Sequence, residues 1–317
     1  MLKILVYIHA PAGTPTKGQR ELLALAGRLG EARAVLGAEA DEAALAGLSA
    51  AGATGFYAAA GGLDASALLT PAVSLLTGAV RDFGADAVLL PNGIEGREVA
   101  ARAAVRLDAA VITDAIDVQT DLTVTKPVLA GSHTVKAQGT RVPVLITLKP
   151  NSVEVPEPNA GTGEAAPLRE LEIEATAPAA RITSSAARTD TGRPELSSAR
   201  FVVAGGRGVE GDFTPVEDLA DALGAAVGAS RVATDAGWIE HSAQVGQTGA
   251  TISPQLYISA GISGAIQQKA GMQGAKCIVA INKDPDAPVF EIADLGIIGD
   301  LATVLPQAAA EIRRRKG

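Results

Sequence analysis

Ser263 and Gly264 stand between a short apolar run, Leu256–Ala260, and a helical stretch from Ala265 to about Gly271. Residues of these types at a helix start can receive a phosphate. The first N–H groups of a helix are unpaired and carry the positive end of its dipole. Gly264 has no Cβ, so a diphosphate can approach the backbone. Ser263 can donate its hydroxyl or cap the helix. Asn282 follows the next apolar run, Cys277–Ile281, on the same sheet edge. Asp300 comes after the run Leu295–Ile298, where it can cap the last helix or accept from a ribose hydroxyl. The glycines alone fit a nucleotide site and a plain tight turn equally well.

Two further segments carry suitable groups. Gly205–Gly206–Arg207–Gly208 follows a strand, Arg200–Ala204. Such a turn can hold a phosphate with Arg207 as a planar charged donor, or it can be a sharp turn with a surface arginine. Ser230 and Arg231 precede Val232–Ala236, and Val245–Gly246–Gln247–Thr248 lies in a polar loop. The loop offers hydroxyl, amide and backbone donors, although a bare turn is the simpler account of each segment.

The elements that must position these groups alternate along the chain. Strand, glycine turn, helix and strand over Leu256–Ile281 form a βαβ unit with parallel strands. Its turn lies at the carboxyl end of the first strand, where open α/β sheets bind ligands. Helix Pro215–Gly224 carries Val216, Leu219, Ala220 and Leu223 on one face. In the first half, strands are expected at Leu2–His9, Ala34–Leu36, Gly55–Ala58 and Ala87–Leu90. Helices are expected at 17–29, Asp41–Ala50, Ser66–Phe83 and Gly96–Leu107, with Pro71 a weak point or a shifted start. Val111–Val118, Leu122–Ala130, His133–Ala137 and Val142–Leu148 then follow without a helix, which predicts an antiparallel extension. Pro91–Asn92–Gly93 and Gly96–Arg97–Glu98 read as a structural turn, because no phosphate-cradling pattern is present.

Glu154–Ser198 is rich in Pro, Gly, Ser, Thr and Ala, with strand candidates at Leu171–Ala175 and Arg181–Ser184. Thr189–Ser198 is the best boundary candidate. The expected division is residues 1–196, with a linker at about 154–196, and residues 197–317.

Composition narrows the function. The net charge of -8 and the 3% aromatic content argue against a nucleic-acid partner. The basic cluster Arg313–Lys316 reads as a solvated helix end. The one cysteine, Cys277, sits in an apolar run and reads as a core residue, and His9, His133 and His241 show no ligand spacing. Redox chemistry would then need an organic cofactor, with no metal. No run of 18 apolar residues occurs, so no membrane insertion is expected. The start MLKILVYIHAP reads as a first strand and not as a targeting segment, so the expected location is cytoplasmic.

The stretches LYISAGISGAIQ, AGM, IVAINKDPDAPVF and ADLGIIGDL together resemble the flavin-binding signature of electron transfer flavoprotein alpha subunits. LLPNGIEGREVAARAAVRLDAAVITDAIDV and the following strands resemble that family's amino-terminal domain. The resemblance covers essentially the whole chain and is weakest over Glu154–Ser198. It implies an α/β protein of two domains. The first is a Rossmann-like parallel sheet with an antiparallel extension, a scaffold and docking surface without a cofactor. The second is a parallel-sheet FAD-binding domain. By the same resemblance Arg207 lies by the cofactor with Ser230 nearby, Arg231 sits near the isoalloxazine, and Thr248 hydrogen-bonds at or near flavin N5. Val245, Gly246 and Gln247 belong to the Thr248 loop. Ser263, Gly264, Ala265 and Ile266, with Asn282, hold the diphosphate and adenosine side, and Gln267 and Gln268 complete the same matched segment. Asp300, followed by Leu301, meets the adenosine ribose.

One position departs from the family pattern, which ends in Ala-Ile-Gln-His with the histidine beside the flavin C2 carbonyl. This chain has Gln268 there. An imidazole can offset the negative charge of a reduced flavin, whereas an amide offers only a dipole. Arg231 is then expected to carry most of that stabilisation, with Arg231, Thr248 and Gln268 as the flavin-tuning set. The implied role is an electron carrier paired with a beta subunit that holds AMP. Its donors would be acyl-CoA and other dehydrogenases of fatty acid beta-oxidation, and its acceptor electron transfer flavoprotein–quinone oxidoreductase. The alternatives are an NAD-dependent oxidoreductase on a related fold and a flavin-free assembly subunit. An NAD-dependent enzyme would need an acid or base at its substrate, and His241 is the only histidine of the second domain.

Overall fold

The structure is a computed structural model and describes residues 1–11, 13–155, 165–173, 179–185 and 192–316. Two compact units divide the chain: Met1–Val128 with Thr134–Ala187, and Leu129–His133 with Arg188–Gly317.

The first unit opens with β1 (Leu2–Ile8), α1 (Lys17–Leu29), β2 (Gly30–Leu36), α2 (Glu42–Ala50) and β3 (Phe56–Ala59). It continues with α3 (Thr70–Phe83), β4 (Ala87–Pro91), α4 (Ile94–Leu107) and β5 (Ala110–Ala115). Short strands follow at β6 (Asp117–Val118), β7 (Val124–Val128) and β8 (His133–Ala137), then β9 (Val144–Leu148) and β10 (Leu168–Leu171). Seven strands form one sheet in the order β10-β3-β2-β1-β4-β9-β5, and its pairs are parallel. Alternation along β1 sorts the core. Ile4, Val6 and Ile8 pack with Leu22, Leu25 and Leu29 of α1. Leu5 and Tyr7 pack with Val73 and Leu76 of α3 and Val99 of α4. A capping box between Thr16 and Gln19 starts α1. Pro71 sits in the first turn of α3, so the helix starts later than Ser66, as a proline without an N–H requires.

The antiparallel extension is smaller than expected. β6, β7 and β8 form a separate three-stranded sheet, in which β6 and β7 are antiparallel. β5 and β9 instead join the main sheet as parallel neighbours. Parallel neighbours need a long crossover, and residues 116–143 supply one built from strands in place of a helix. The turn after β4 is structural. Asn92 Nδ2 donates to Asp114 Oδ1 at 2.9 Å, and Arg97 donates to the same oxygen at 2.8 Å.

Glu21 is buried on the inner face of α1. It accepts from the Asn151 N–H at 2.9 Å, and Lys17 Nζ lies 3.1 Å from its other oxygen. Burial pushes its carboxyl above the ordinary 4.5, against the opposing effects of Lys17 and Asn151. The folded state thus holds this proton more tightly than the unfolded one. This group's contribution to stability therefore declines as pH rises from the unfolded value through the folded one. Glu21→Gln is expected to remove that decline, which urea midpoints of both proteins at about pH 4.5 and 7 would measure.

The second unit contains β11 (Phe201–Gly205), α5 (Thr214–Leu223), β12 (Ala226–Ala229), α6 (Arg231–Asp235) and β13 (Leu256–Ala260). It closes with α7 (Ile266–Met272), β14 (Ile278–Asn282), β15 (Leu295–Ile298) and α8 (Leu301–Lys316). Its five strands run in the order β12-β11-β13-β14-β15, all parallel. The order reverses between β11 and β13, and ligands bind at such a point, outside the carboxyl ends of the strands. Leu305 and Ala309 of α8 pack with Val216, Leu219 and Ala220 of α5. The basic end of α8 is more tied down than expected, since Arg313 reaches Asp218 of α5 at 2.6 Å. Cys277 is half-buried and lies just before β14, not inside it.

Of the junction, residues 156–164, 174–178 and 186–191 lie outside the described residues, including Glu174–Ala175 and the start of Thr189–Ser198. Arg181 forms an isolated bridge with Ala67. Among the described residues no helix is long and apolar enough to cross a membrane.

Candidate functional site

A cavity of about 800 Å³ opens at the carboxyl edge of the second sheet. β11 delivers Arg207 and Gly208 to it, and β13 delivers Gly261, Ile262 and Ser263, so it sits at the point where strand order reverses. Ser230 and Arg231 enter from the end of β12, and Val245, Gly246, Gln247 and Thr248 from the loop beyond α6. Ala265 at the start of α7 closes it together with Gln267 and Gln268 of the helix, and Asn282 enters from the end of β14. A second cavity of about 250 Å³ shares Gly208, Gly261 and Asn282 with the first and holds Asp300 and Leu301.

Backbone pairing brings these segments together. Val245 N–H donates to Ala229 O at 2.9 Å, and Gln247 N–H to Gln267 O at 2.8 Å. A Cβ on Gly271 would meet Gly246 N at 2.3 Å, so only glycine there lets the loop lie against α7. Asn282 braces the turn after β13, because its Nδ2 donates to Ile262 O at 3.1 Å and its Oδ1 accepts from Asp284 N–H at 3.1 Å. Asn282→Ala loses both bonds and is expected to lower stability by about 2 kcal/mol, readable as a fall in the thermal midpoint.

Two residues of the cavity wall each carry a buried polar atom with no protein partner among the described residues. Ser230 and Gln268 are each 8% exposed, and Ser230 Oγ and Gln268 Oε1 make no hydrogen bond. Such groups cost on the order of 1–3 kcal/mol unless something satisfies them. Gln268 Nε2 donates to Tyr257 OH at 2.9 Å. Burial pushes the Tyr257 phenol up, so it stays neutral. Gln244 Nε2 donates to Thr248 Oγ1 at 2.9 Å. Arg231 is exposed, with its Nε 3.1 Å from Asp235 Oδ2.

Other expected residues sit differently. Ser263 does not cap α7: the cap position is Ala265, with no side-chain bond, and the Ser263 carbonyl accepts from Val289 N–H at 2.9 Å. Ser263 is an exposed residue of the cavity wall, with a hydroxyl of the type that can donate. Gly264 shapes the turn from behind, packed on Val289, and the Ile266 side chain is exposed. Asp300 caps α8, with Oδ1 accepting from Ala302 N–H at 2.7 Å. Sequence reasoning did not single out Trp238, Gln244, Lys283 or Asp284, which also line the cavity. Gln244 directly precedes Val245, and Lys283 and Asp284 directly follow Asn282, so adjacency was the available signal.

Residues 4–176 match the family described as electron transfer flavoprotein domain, and residues 195–273 the electron transfer flavoprotein FAD-binding domain. The chain is 45% identical over 322 residues to the electron transfer flavoprotein subunit alpha of Mycobacterium tuberculosis, covering 100% of both. It is 42% identical over 324 residues to the protein of the same name from Mycobacterium leprae, again covering 100% of both. Against that of Bacillus subtilis the identity is 38% over 245 residues, 76% of this chain and 74% of the other.

Proposed function

The chain belongs to the electron transfer flavoprotein alpha-subunit family, and on that premise we propose that its second unit holds FAD across the two adjoining cavities and passes electrons between partner proteins. The observation that carries this reading is the pair of buried, unpartnered atoms, Ser230 Oγ and Gln268 Oε1, in a cavity at the sheet's switch point. The residues present fit the group. Arg207 and Lys283 supply cationic donors on the cavity wall, and Ser263 and Thr248 supply hydroxyls. Arg207, Ser263, Gly264, Ala265, Ile266 and Asn282 hold the diphosphate side in this reading, and Asp300 keeps carboxylate lone pairs for a ribose hydroxyl while capping α8.

Bound FAD supplies a ring that takes up electrons and gives them back. Arg231 sets a cation beside the negative charge that reduction adds, and Asp235 offsets part of it. Gln268 offers its amide edge and Thr248 its hydroxyl to the same ring. No nucleophile or acid–base pair is needed, because no small substrate is transformed.

The partners of this reading are a beta subunit carrying AMP, acyl-CoA and other dehydrogenases of fatty acid beta-oxidation as donors, and a quinone oxidoreductase as acceptor. The first unit serves as scaffold and docking surface. Co-expression with the beta subunit should yield a yellow complex whose flavin absorbance bleaches when an acyl-CoA dehydrogenase and its substrate are added. A colourless complex that takes up no added FAD would refute the proposal.

A further inference from the structure

Thr234 and Gln244 are buried, at 3% and 6% exposure, and they connect α6 to the loop that carries Thr248. Thr234 Oγ1 lies 3.0 Å from Arg231 O and 3.1 Å from Gln244 Oε1, and its hydrogen serves these two acceptors. With the amide oxygen anchored there, Gln244 Nε2 turns to Thr248 Oγ1 at 2.9 Å. A hydroxyl has one hydrogen and can both accept and donate. Once its oxygen accepts from an amide, that hydrogen is free for another acceptor. Thr248 is exposed on the cavity wall, so the cavity is where such an acceptor would sit.

We infer that Gln244, backed by Thr234, is a positioning residue that fixes the Thr248 hydroxyl as a hydrogen-bond donor into the cavity, toward ring nitrogen N5 of the bound flavin. The inference rests on the FAD reading above and adds to it the residues that set the polarity of one contact. The chain of bonds also explains why two buried polar side chains are kept here. Each satisfies the next, and the last donor in the line is left for the ligand. The same chain begins at the Arg231 carbonyl, so the helix that carries the cation also anchors the donor.

The test compares FAD with 5-deaza-FAD, in which the N5 acceptor is replaced by a C–H. Flavin is removed from the complex of the full chain with its beta subunit, and each cofactor is titrated back by fluorescence. The unaltered protein should bind FAD about fivefold more tightly than 5-deaza-FAD, the worth of one hydrogen bond. Gln244→Met should abolish that preference, and so should Thr248→Val. The double variant should match Thr248→Val alone. Thr234→Ser should keep the preference and Thr234→Val should reduce it, which preserves the test if Gln244→Met does not fold. Equal weakening of both cofactors in Gln244→Met, or a preference that survives it, would overturn the inference by leaving Gln244 a purely structural role. An unaltered complex that binds neither cofactor would sink the FAD reading, and this inference with it.

Discussion

Gly264→Ala is expected to destabilise the second unit by about 3 kcal/mol or more and to cost the protein its flavin. Gly264 has φ +86°, a conformation that costs a residue with a Cβ roughly 1 kcal/mol or more. The added Cβ would also lie 2.4 Å from Val289 N and 2.6 Å from Val289 Cα. These are backbone atoms, and Val289 is fully buried beside Ala280 and Ala287, so the segment cannot swing aside. Overpacking of this kind costs about 1–3 kcal/mol. Moving Val289 also breaks its hydrogen bond to Ser263 O at 2.9 Å, which ties the glycine turn to the segment after β14. Gly237→Ala is the matched control. Gly237 has φ +72° but open space where a Cβ would stand, so only the backbone term applies. A thermal melt following flavin release should drop by roughly 10 °C or more for Gly264→Ala and by much less for Gly237→Ala. Similar drops for both would show that the close approach to Val289 is not what makes Gly264 necessary.

Gln268→His is expected to raise the one-electron reduction potential of the bound flavin, more at low pH than at high. Gln268 turns one amide edge to Tyr257 and leaves Oε1 buried without a partner in the cavity wall. An imidazole at this position can carry a proton. Two opposite unit charges about 5 Å apart, at an effective dielectric constant near 20, attract by on the order of 3 kcal/mol, which sets the scale if the imidazole lies beside the ring. That corresponds to a shift on the order of 100 mV for a one-electron step. The sign follows from charge. Below its ordinary value of about 6.5 the imidazole is cationic and favours the reduced, negatively charged ring, whereas above it the neutral ring behaves much as the amide does. Tyr257 does not disturb this picture, since burial keeps its phenol neutral. Potentiometric titrations near pH 5.5 and 8.5 would measure the difference. An unchanged potential at both would mean that this position does not feel the charge of the ring.

Much of the fold was legible because local physics and tertiary context agree. β13 at Leu256–Ala260 and β15 at Leu295–Ile298 are apolar runs with the expected bounds, and α1 matches its apolar spacing over Lys17–Leu29. β12 was not legible. Its residues, Ala226–Ala229, read AVGA, a short run with a glycine and little strand preference. It is a strand because β11 offers a paired edge from Val202 to Gly205. The pairing of β5 with β9 escaped for the opposite reason. Local pattern reports that a segment is extended, but not which distant edge it joins.

The candidate site divides along the same line. Sequence alone determined the chemistry on offer: glycines where backbones must meet, the hydroxyls of Ser230, Ser263 and Thr248, the cations Arg207 and Arg231, and an amide at Gln268 in place of an imidazole. These are properties of residue types in their order along the chain. Tertiary structure decided which of them share one cavity, that Asp300 caps α8, and that Asp235 faces Arg231. It also decided that Gln244 stands behind Thr248. Direction, burial and hydrogen-bond polarity depend on what lies across space from a side chain, and parallel strands bring together groups that are far apart in sequence.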